Sequence, residues 1–359
     1  MRAWKLYNIG DLRCEETERP VPGRGEALVR VRAAGICGSD IPRIYRDGAH
    51  RMPLVPGHEF SGEVAETGGG TAGGWEGKRV AVFPLIPCRS CIACRQGQYE
   101  MCRHYSYLGS RQDGGFAEDV IVPAANLVEL PADVSYEQAA MAEPVAVAAH
   151  ALLGMGPAQE STVVVYGLGT VGLLLVMLLK DYGIENLLVV GNKDFQRETV
   201  LALGVGEDCY CDSRGVDAAN WVANHTKKGG ADIVFECVGR EETIAAAICA
   251  AAPSGRVCMV GNPQSDIILP RDVYWKILRN QLTVTGTWNS SFAFGSERMQ
   301  SIAEEAERSD WMYVMELLGK GKIHPENLIT HRLPLSGLER GLHVMRDKTE
   351  PYIKVMIKA

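Results

Sequence analysis

The distribution of hydrophobic and polar residues changes in character partway along the chain. Up to about residue 150, short apolar runs are interrupted by Gly and Pro, as in residues 26–37, 78–85 and 114–131. Such runs predict short strands joined by turns, and therefore a β-rich domain. The glycine-rich stretch 67–77 is expected to form a flexible surface loop.

From residue 161 onward, strand-like and helix-like patterns alternate. Apolar, Val-rich runs predict strands at residues 162–166, 186–190, 208–211, 232–237, 256–260 and 282–285. Amphipathic or apolar stretches between them predict helices at residues 170–182, 195–203 and 241–252. Repeated β-α units of this length predict an open parallel sheet with helices on both faces.

The remainder of the chain is predicted to be helical over residues 297–318 and to end in a strand at residues 352–358. A chain of 359 residues exceeds what one hydrophobic core usually supports. We therefore predict a β-rich domain, residues 1–150 and 289–359, split around an inserted α/β domain, residues 151–288.

Composition and charge narrow the class of protein. Hydrophobic residues make up 46% and charged residues 23%, as in ordinary soluble domains. A net charge of −7 argues against nucleic-acid or anionic-membrane partners. The N-terminal residues lack the apolar segment of a secretory signal, so a cytoplasmic location is expected. The uncharged stretch 161–179 contains three glycines, which favours a buried strand, turn and helix over a membrane span.

Four of the eleven cysteines crowd into one short segment, PCRSCIACRQGQYEMC. Its C-x2-C-x2-C-x7-C spacing involves Cys88, Cys91, Cys94 and Cys102. Four thiolates so close in sequence favour a closed, structural Zn²⁺ site. An iron–sulfur cluster and a set of buried free thiols are the alternatives. An odd cysteine count without a secretory signal also favours metal ligation over disulfides.

The segment VVVYGLGTVG places Gly167, Gly169 and Gly172 in a G-x-G-x-x-G pattern between a predicted strand and a predicted helix. In that context the glycines allow a tight turn and a close approach to a dinucleotide pyrophosphate at the helix N-terminus. Thr170 and Val171 lie within the same turn. The pattern predicts a dinucleotide-binding domain.

The residue that follows the second predicted strand decides which dinucleotide is favoured. An acidic residue is expected there to bind the ribose hydroxyls, but the chain has Gly191, Asn192 and Lys193. A glycine leaves room for a 2′-phosphate, and Lys193 and Arg197 supply positive charge. We therefore predict NADP(H) over NAD(H), with Asp194 as the counter-argument, because a shifted carboxylate could reach the ribose.

Several dispersed residues have the chemistry of a second metal site. Cys37 lies in GICGSD, His58 and Glu59 in PGHEFSG, and Glu143 in an apolar stretch where a buried carboxylate needs a partner. One thiolate, one imidazole and one or two carboxylates would give zinc with a vacant position. Each residue alone also suits an ordinary structural role. Their spacing in the sequence does not show that they come together in the fold.

Nearly the whole chain resembles the zinc-dependent medium-chain dehydrogenase/reductases, in the sorbitol dehydrogenase branch. The motifs CGSD, PGHEFSG, the four-cysteine segment, GSRQDGGFAE, EPVAVAAH and GLGTVG follow one another in the family's order. Residues 37–50 and 57–62 carry a closer likeness to galactitol-1-phosphate dehydrogenases. The resemblance implies an α/β protein with a GroES-like β-barrel catalytic domain and a Rossmann domain.

The resemblance also implies roles for single residues. Cys37, His58 and Glu143 match the ligands of a catalytic zinc, and Glu59 matches a carboxylate that binds the zinc when it shifts. Ser39 matches a hydroxyl that relays a proton, Asp40 supports the site, and the four-cysteine segment matches a structural zinc site. The residues implied to border the cofactor are Val238, Gly239, Val260, Gly261, Thr287 and Trp288, of which Trp288 also suits a core position.

The implied reaction is hydride transfer between a secondary alcohol and a nicotinamide cofactor. The alcohol would belong to a polyol or a polyol phosphate similar to galactitol 1-phosphate. Candidate phosphate-binding residues are Arg43, Arg46, His50 and Arg51, for which a solvated basic face is the alternative, and Arg111, for which a buried structural ion pair is the alternative. The alternatives are another secondary alcohol, such as sorbitol, a diol or threonine, and a non-catalytic relative. A homodimer or homotetramer is expected, with residues 284–292 as the candidate contact.

Overall fold

The structure is a computed structural model that describes residues 1–71, 74–294 and 309–359. These residues form two compact units, which we name the β unit and the α/β unit. The β unit comprises Met1–Ala146 and Ser290–Ala359, and the α/β unit comprises Val147–Asn289.

The strands of the described residues are numbered in chain order. They are β1 (Arg2–Asn8), β2 (Asp11–Glu16), β3 (Glu26–Ile36), β4 (Glu59–Thr67), β5 (Arg79–Val82), β6 (Leu85–Ile86), β7 (Ser106–Tyr107), β8 (Asp119–Pro123), β9 (Leu127–Glu129), β10 (Thr162–Tyr166), β11 (Asn186–Gly191), β12 (Tyr210–Asp212), β13 (Ala231–Glu236), β14 (Ala251–Met259), β15 (Thr283–Gly286), β16 (Ile329–Pro334) and β17 (Lys354–Lys358).

The α-helices are numbered in the same way. They are α1 (Asp40–Pro42), α2 (Ile92–Arg95), α3 (Tyr136–Ala140), α4 (Ala142–Met155), α5 (Thr170–Tyr182), α6 (Asp194–Ala202), α7 (Ala218–Asn224), α8 (Glu241–Ala250), α9 (Arg271–Arg279), α10 (Asp310–Gly319) and α11 (Leu338–Asp347).

The β unit is built on one sheet with the strand order β16-β17-β3-β4-β5-β9, and β8 also pairs with β3. Every pair is antiparallel except β16 with β17, which is parallel. In this register Gly35 lies opposite Glu59, and Ile36 lies opposite Val355. The end of β3 therefore meets the beginnings of β4 and β17, which positions the candidate metal ligands.

The α/β unit contains a six-stranded sheet with the order β12-β11-β10-β13-β14-β15, and all its pairs are parallel. Its centre is apolar, and the side chains of Val163, Val164 and Val165 are fully buried. The helix α5 buries an unbroken run from Gly172 to Leu179. The uncharged stretch 161–179 is thus a buried strand, turn and helix, as predicted.

Most predicted elements of the α/β unit are confirmed, and the errors lie at their ends. Helix 170–182 is confirmed at both bounds. Helix 241–252 was predicted two residues too long, because Ala251 already pairs with Ala231 at the start of β14. Residues 207–209 form a short helical turn before β12, where a strand was predicted from residue 208.

In the β unit, the predicted strand 78–85 divides into β5 and the short β6 around Phe83 and Pro84. Proline lacks the N–H that a continuous ladder requires, which accounts for the interruption. The predicted helix 297–318 lies partly outside the described residues, and its described end belongs to α10. Two residues of the predicted loop 67–77 also lie outside the described range. Among the described helices, none is long and apolar enough to cross a membrane.

Candidate active site

The β unit brings together three of the dispersed candidate ligands. Ligand atoms of Cys37, His58 and Glu59 all lie within 4.8 Å of one another. Cys37 follows directly after β3, and His58 directly precedes Glu59, the first residue of β4. His58 and Glu59 are almost fully buried. The pairing of β3 with β4 therefore assembles a thiol, an imidazole and a carboxylate that are distant in sequence.

Asp40 fixes the orientation of two of these groups. Its Oδ2 atom accepts a hydrogen bond of 3.0 Å from the backbone N–H of Cys37, and its Oδ1 atom lies 3.6 Å from Nδ1 of His58. Burial raises the pKa of this fully buried carboxyl, but His58 and Arg43 outweigh burial, so its pKa is lowered overall. Arg43 also donates to Asp40 and to the hydroxyl of the half-buried Ser39, the latter at 3.5 Å.

Glu143 lies beside the cluster but outside its tight group of ligand atoms. This buried carboxylate, near the start of α4, accepts a 3.1 Å hydrogen bond from the hydroxyl of Tyr107. The Tyr107 ring packs edge-to-face on the His58 ring, with centroids 5.7 Å apart. Burial raises the pKa of Glu143 to about 7, although His58 and Tyr107 oppose the rise. In this structure Glu59, not Glu143, completes the group with Cys37 and His58.

Lys354 is a site residue that sequence analysis missed. It is the first residue of β17, is 2% exposed and forms an ion pair with Glu59. Burial lowers the pKa of Lys354, but the charges of Glu59 and Cys37 more than offset this, so the ammonium is favoured. Its signal in the sequence was a lysine inside the apolar run YIKVMI, at a position where a buried charge requires a partner.

The charges around His58 fit a bound divalent cation. When ionised, Cys37, Asp40, Glu59 and Glu143 are four negative groups, and the fixed cations that contact them are Arg43 and Lys354. With all four ionised and His58 neutral, these groups would carry two more negative charges than the two cations balance, which is the charge that one Zn²⁺ would supply. Nδ1 of His58 is buried and has no hydrogen-bond partner among the described residues. Thiolate, imidazole and carboxylate donors are those that zinc takes in proteins.

The four-cysteine segment also forms a compact cluster. The Sγ atoms of Cys88 and Cys94 lie 3.9 Å apart, and those of Cys91 and Cys102 lie 4.0 Å apart. A tetrahedral zinc with Zn–S bonds of about 2.3 Å separates its sulfurs by roughly 3.8 Å. An iron–sulfur cluster would spread the thiolates around several metal atoms, so these distances fit a single ion better. Hydrogen bonds from Ser90, chiefly from its hydroxyl, lower the pKa of the Cys88 thiol to about 5.

In the α/β unit, the glycine turn has the backbone geometry that its motif predicts. Gly167 has φ of +90°, and a Cβ there would lie 2.3 Å from the Val238 side chain. A Cβ on Gly172 would lie 1.9 Å from the carbonyl oxygen of Gly167. Gly169 precedes α5, which begins with Thr170 and Val171. The N-terminal N–H groups of α5 thus follow a turn that only glycine fits, as a pyrophosphate site requires.

The residues at the ribose position form a network of paired charges. Gly191 ends β11 and lies opposite Asp212 of β12. Arg197 forms an ion pair with Glu207, so its charge is already compensated. Arg214, which sequence analysis missed, bonds both Asp212 and Asp194 at 2.5 Å. It lies beside Gly191 because β12 neighbours β11, a pairing that the local sequence does not reveal.

Asn192 and Lys193 form the short connection between β11 and α6. Lys193 directly precedes α6, and its ammonium lies 5.6 Å from the centroid of the Phe195 ring. Ser213 donates from its backbone and its hydroxyl to the carbonyl oxygen of Gly191, which holds the two strand ends together.

The other predicted cofactor residues follow the carboxyl ends of β13, β14 and β15. Val238 and Gly239 donate their backbone N–H groups to the fully buried carboxylate of Glu236, which fixes that turn. A Cβ on Gly261, which directly follows Val260, would lie 2.2 Å from the nitrogen of Gly239. The hydroxyl of Thr287 is buried without a partner among the described residues. Trp288 is 54% exposed, so its interpretation as a core residue is wrong.

Two family models match the chain. Residues 23–132 match the alcohol dehydrogenase GroES-like domain, and residues 170–308 match the zinc-binding dehydrogenase domain. Galactitol 1-phosphate 5-dehydrogenase of Escherichia coli strain K12 is 32% identical over 90% of each chain. Sorbitol dehydrogenase of Halalkalibacterium halodurans is 31% identical over 98% of this chain and 96% of its own length.

Solved structures agree with these matches. The crystal structure of Escherichia coli galactitol-1-phosphate dehydrogenase superposes with a TM-score of 0.89, with 29% identity and full coverage of both chains. A Sinorhizobium meliloti protein described as a zinc-binding dehydrogenase, bound to NADP, gives 0.88 at 27% identity. An Escherichia coli CFT073 alcohol dehydrogenase in complex with NADH gives 0.86 at 27% identity. Each covers all of this chain and at least 99% of its own.

A GroES-like unit and a Rossmann unit together define a dehydrogenase that uses a nicotinamide dinucleotide. The chain belongs to the zinc-binding alcohol dehydrogenases, the zinc-dependent medium-chain dehydrogenase/reductases. It is an oxidoreductase acting on CH–OH groups. The predicted fold class and family resemblance are confirmed.

The close approach of β3 to the Glu59–Lys354 pair leads to a first prediction. A Cβ on Gly35 would lie 2.4 Å from Oε2 of Glu59 and 2.7 Å from Cε of Lys354. We expect Gly35→Ala to displace this buried pair and to destabilise the β unit by about 1–3 kcal/mol, lowering the melting temperature by roughly 2–10 °C. Differential scanning calorimetry measures this.

The matched control is Gly38→Ala, because a Cβ on Gly38 has no atom within 4 Å. It should leave the melting temperature almost unchanged. Equal melting temperatures for both variants would contradict the claim that Gly35 is required by the packing of the pair.

Proposed function

We propose that this chain is a zinc- and NADP(H)-dependent dehydrogenase of a secondary alcohol in a polyol or polyol phosphate similar to galactitol 1-phosphate. The observation that carries the proposal is the group of Cys37, His58 and Glu59, whose ligand atoms lie within 4.8 Å of one another, with the buried Glu143 beside it. Such a donor set suits a zinc ion that keeps one position for substrate.

In this proposal Cys37, His58 and Glu143 would hold the catalytic zinc, and Glu59 would be a further carboxylate ligand beside them. Bound there, zinc would supply Lewis acidity, which makes a hydroxyl group easier to deprotonate and a carbonyl group easier to reduce. The dinucleotide would accept or donate the hydride.

The side chains around the metal position would transfer a proton and hold the candidate ligands in place. The hydroxyl of Ser39, half-buried and within 3.5 Å of Arg43, relays the proton that leaves the substrate hydroxyl: it accepts that proton while passing its own to solvent. Asp40 holds the backbone of Cys37 and faces the ring of His58. Tyr107 holds Glu143 by its hydrogen bond, and Lys354 holds Glu59 by its charge. Both carboxylates are thus kept near the metal position without solvent contact.

The choice of a polyol phosphate is supported by the relative that acts on galactitol 1-phosphate. Relatives named sorbitol dehydrogenase and L-threonine 3-dehydrogenase, at 31% identity, support oxidation of another secondary alcohol as the second candidate. Assay of galactitol 1-phosphate, galactitol, sorbitol, a vicinal diol and threonine with each nicotinamide cofactor separates them.

All eleven cysteines are unpaired, which suits the reducing cytoplasm as the place of the reaction.

Metal content tests both proposed zinc sites. The wild-type chain should bind two zinc ions, and Cys37→Ala should retain one and lose kcat by on the order of a thousandfold or more. Cys94→Ala should also retain one ion, with a lower melting temperature because the closed cysteine site contributes to folding. Inductively coupled plasma mass spectrometry and steady-state kinetics measure these quantities.

Cys14→Ala is the matched control, because Cys14 is exposed and outside both clusters. It should retain two ions and full activity. A fully active Cys37→Ala enzyme would refute the catalytic assignment, and two bound ions in Cys94→Ala would refute the structural one.

The preference for NADP(H) rests on the carboxyl ends of β11 and β12. Gly191 presents no carboxylate to repel a 2′-phosphate, and Lys193 and Arg214 supply cations next to it. We propose that Arg214 exchanges part of its contact with Asp194 and Asp212 for the 2′-phosphate. The Arg197 interaction with Glu207 makes Arg197 a weaker candidate than its sequence position predicts.

Arg214→Ala should therefore lower the ratio of kcat/KM for NADP⁺ to kcat/KM for NAD⁺ by about ten- to a hundredfold, as expected for hydrogen bonds to a charged group. Steady-state kinetics with both cofactors measures the ratio. Lys228→Ala is the control, because Lys228 precedes β13, at the amino ends of the parallel strands and away from the ribose position, and pairs with Asp232. A wild-type enzyme that strongly prefers NAD⁺, or an unchanged ratio in Arg214→Ala, would overturn the proposal.

We also propose a homodimer formed through the open edge of β15. All four residues of this edge strand are exposed, and the neighbouring α9 exposes Tyr274, Trp275 and Leu278. Thr287 donates its N–H to the carbonyl oxygen of Met259 in β14. Since strand backbones alternate in direction, Val284 directs its N–H and C=O to the open edge. A second copy of the strand satisfies these groups and covers the apolar side chains.

Val284→Pro should convert the dimer to a monomer, because proline removes that outward N–H while an edge strand still tolerates it. Multi-angle light scattering should give the 39.1 kDa mass of one chain for the variant and twice that mass for wild type. Val284→Thr, which keeps both the N–H and a branched Cβ, should remain dimeric. A variant that keeps the wild-type mass would rule out this edge.

A further inference from the structure

Arg111 is a cation of the β unit that has no ion-pair partner among the described residues. Its side chain is partly buried, and its Nε atom is buried without a hydrogen-bond partner among the described residues. No carboxylate within the described chain pairs with its guanidinium, which lies 4.6 Å from the centroid of the Tyr105 ring. Stacking on an aromatic ring fixes the plane of a guanidinium while leaving its N–H edge available.

The other candidate phosphate-binding arginines divide into two groups. Arg46 and Arg51 are exposed, and each has its own carboxylate, Asp47 for Arg46 and Asp113 for Arg51. Arg43 is only 17% exposed and shares its charge with Asp40. Arg46 and Arg51 are therefore ordinary surface ion pairs, whereas Arg43 and Arg111 lie in a sheltered region.

His50 belongs to the same region as these two sheltered arginines. Its backbone N–H donates to the carbonyl oxygen of Ser110, the residue before Arg111, at 3.3 Å. Burial lowers the pKa of the His50 ring, and the charges of Arg111 and Arg43 lower it further. The charges of Arg111 and Arg43 both act on the ring of His50, an exposed residue, so the three groups that bind anions lie in one region.

This region adjoins the metal site through two short chains of contacts. Tyr105, which carries Arg111, packs on Tyr107 with centroids 6.1 Å apart, and Tyr107 contacts both His58 and Glu143. On the other side, Arg43 contacts Ser39, the proposed proton acceptor. An anionic group held by Arg111 would therefore lie a few side chains from the metal ligands, within reach of a substrate that carries both a hydroxyl group and a phosphate.

We propose that Arg111, with His50 and Arg43, forms the subsite for a phosphate monoester on the substrate. This inference rests on the proposed function, because it names the anionic end of the same alcohol. A phosphate monoester carries a charge of about −1.5 to −2 at neutral pH and accepts paired N–H bonds from a guanidinium. Arg111 supplies the uncompensated charge, Arg43 a second guanidinium next to Asp40, and His50 a ring N–H.

The test compares phosphorylated and free substrate in Arg111→Gln. Galactitol 1-phosphate and galactitol serve as substrates, and the ratio of their kcat/KM values should fall by about ten- to a hundredfold relative to wild type. Calorimetric titration with inorganic phosphate should show weaker binding to the same variant. Arg111→Lys, which keeps the charge without the planar fork, should give an intermediate loss of both.

Arg51→Gln is the matched control, because Arg51 lies nearby but is exposed and pairs with Asp113. It should keep the wild-type ratio and phosphate affinity. Equal phosphate affinity in wild type and Arg111→Gln, or an unchanged substrate ratio, would overturn the subsite. If wild type oxidises neither polyol, the proposed function fails, while the phosphate titration still decides on the subsite.

Discussion

The balance of buried charge around His58 constrains the β unit more than any other interaction. Removing Glu59 from water is costly unless a cation accompanies it, and Lys354 is that cation. Lys354 comes from the last strand and Glu59 from the fourth, so the pair forms only when β17 has paired with β3. Assembly of the metal site and completion of the sheet are therefore the same event, and Gly35 provides the space for it.

This dependence explains which features the sequence predicts and which it does not. The strand β10, the glycine turn and α5 are specified by consecutive residues, and the helix was predicted at both ends. Tyr107 and Arg214 act through partners in other strands or loops, so no local pattern marks them. The apolar run around Lys354 signals a buried charge but does not identify Glu59 as its partner. The resemblance to a family supplied the ligand residues, but not the cation that holds Glu59 nor the hydroxyl that holds Glu143.

At the ribose position, too, the local sequence does not show which charges are already paired. Sequence analysis counted Lys193 and Arg197 as separate positive charges, whereas the structure shows Arg197 paired with Glu207. The cation next to Gly191 that also contacts two carboxylates is Arg214. Under the proposed NADP(H) preference, a 2′-phosphate would compete with exposed carboxylates for this guanidinium. Exposed ion pairs contribute little free energy, so a doubly charged ligand is able to displace them.

The described arginines differ in whether a protein group satisfies them. In a chain with a net charge of −7, many have a nearby carboxylate, as Arg46 and Arg51 do. Others donate to backbone carbonyl oxygens, as Arg79 does. Among the described residues, the guanidinium of Arg111 is stacked on Tyr105 and has no acid partner, and its buried Nε has no acceptor. A partly desolvated charge without a partner costs free energy, and an anionic substrate bound to Arg111 would offset that cost. The proposed phosphate of the substrate would supply that anion, since Asp40 and Glu59 already have cations of their own.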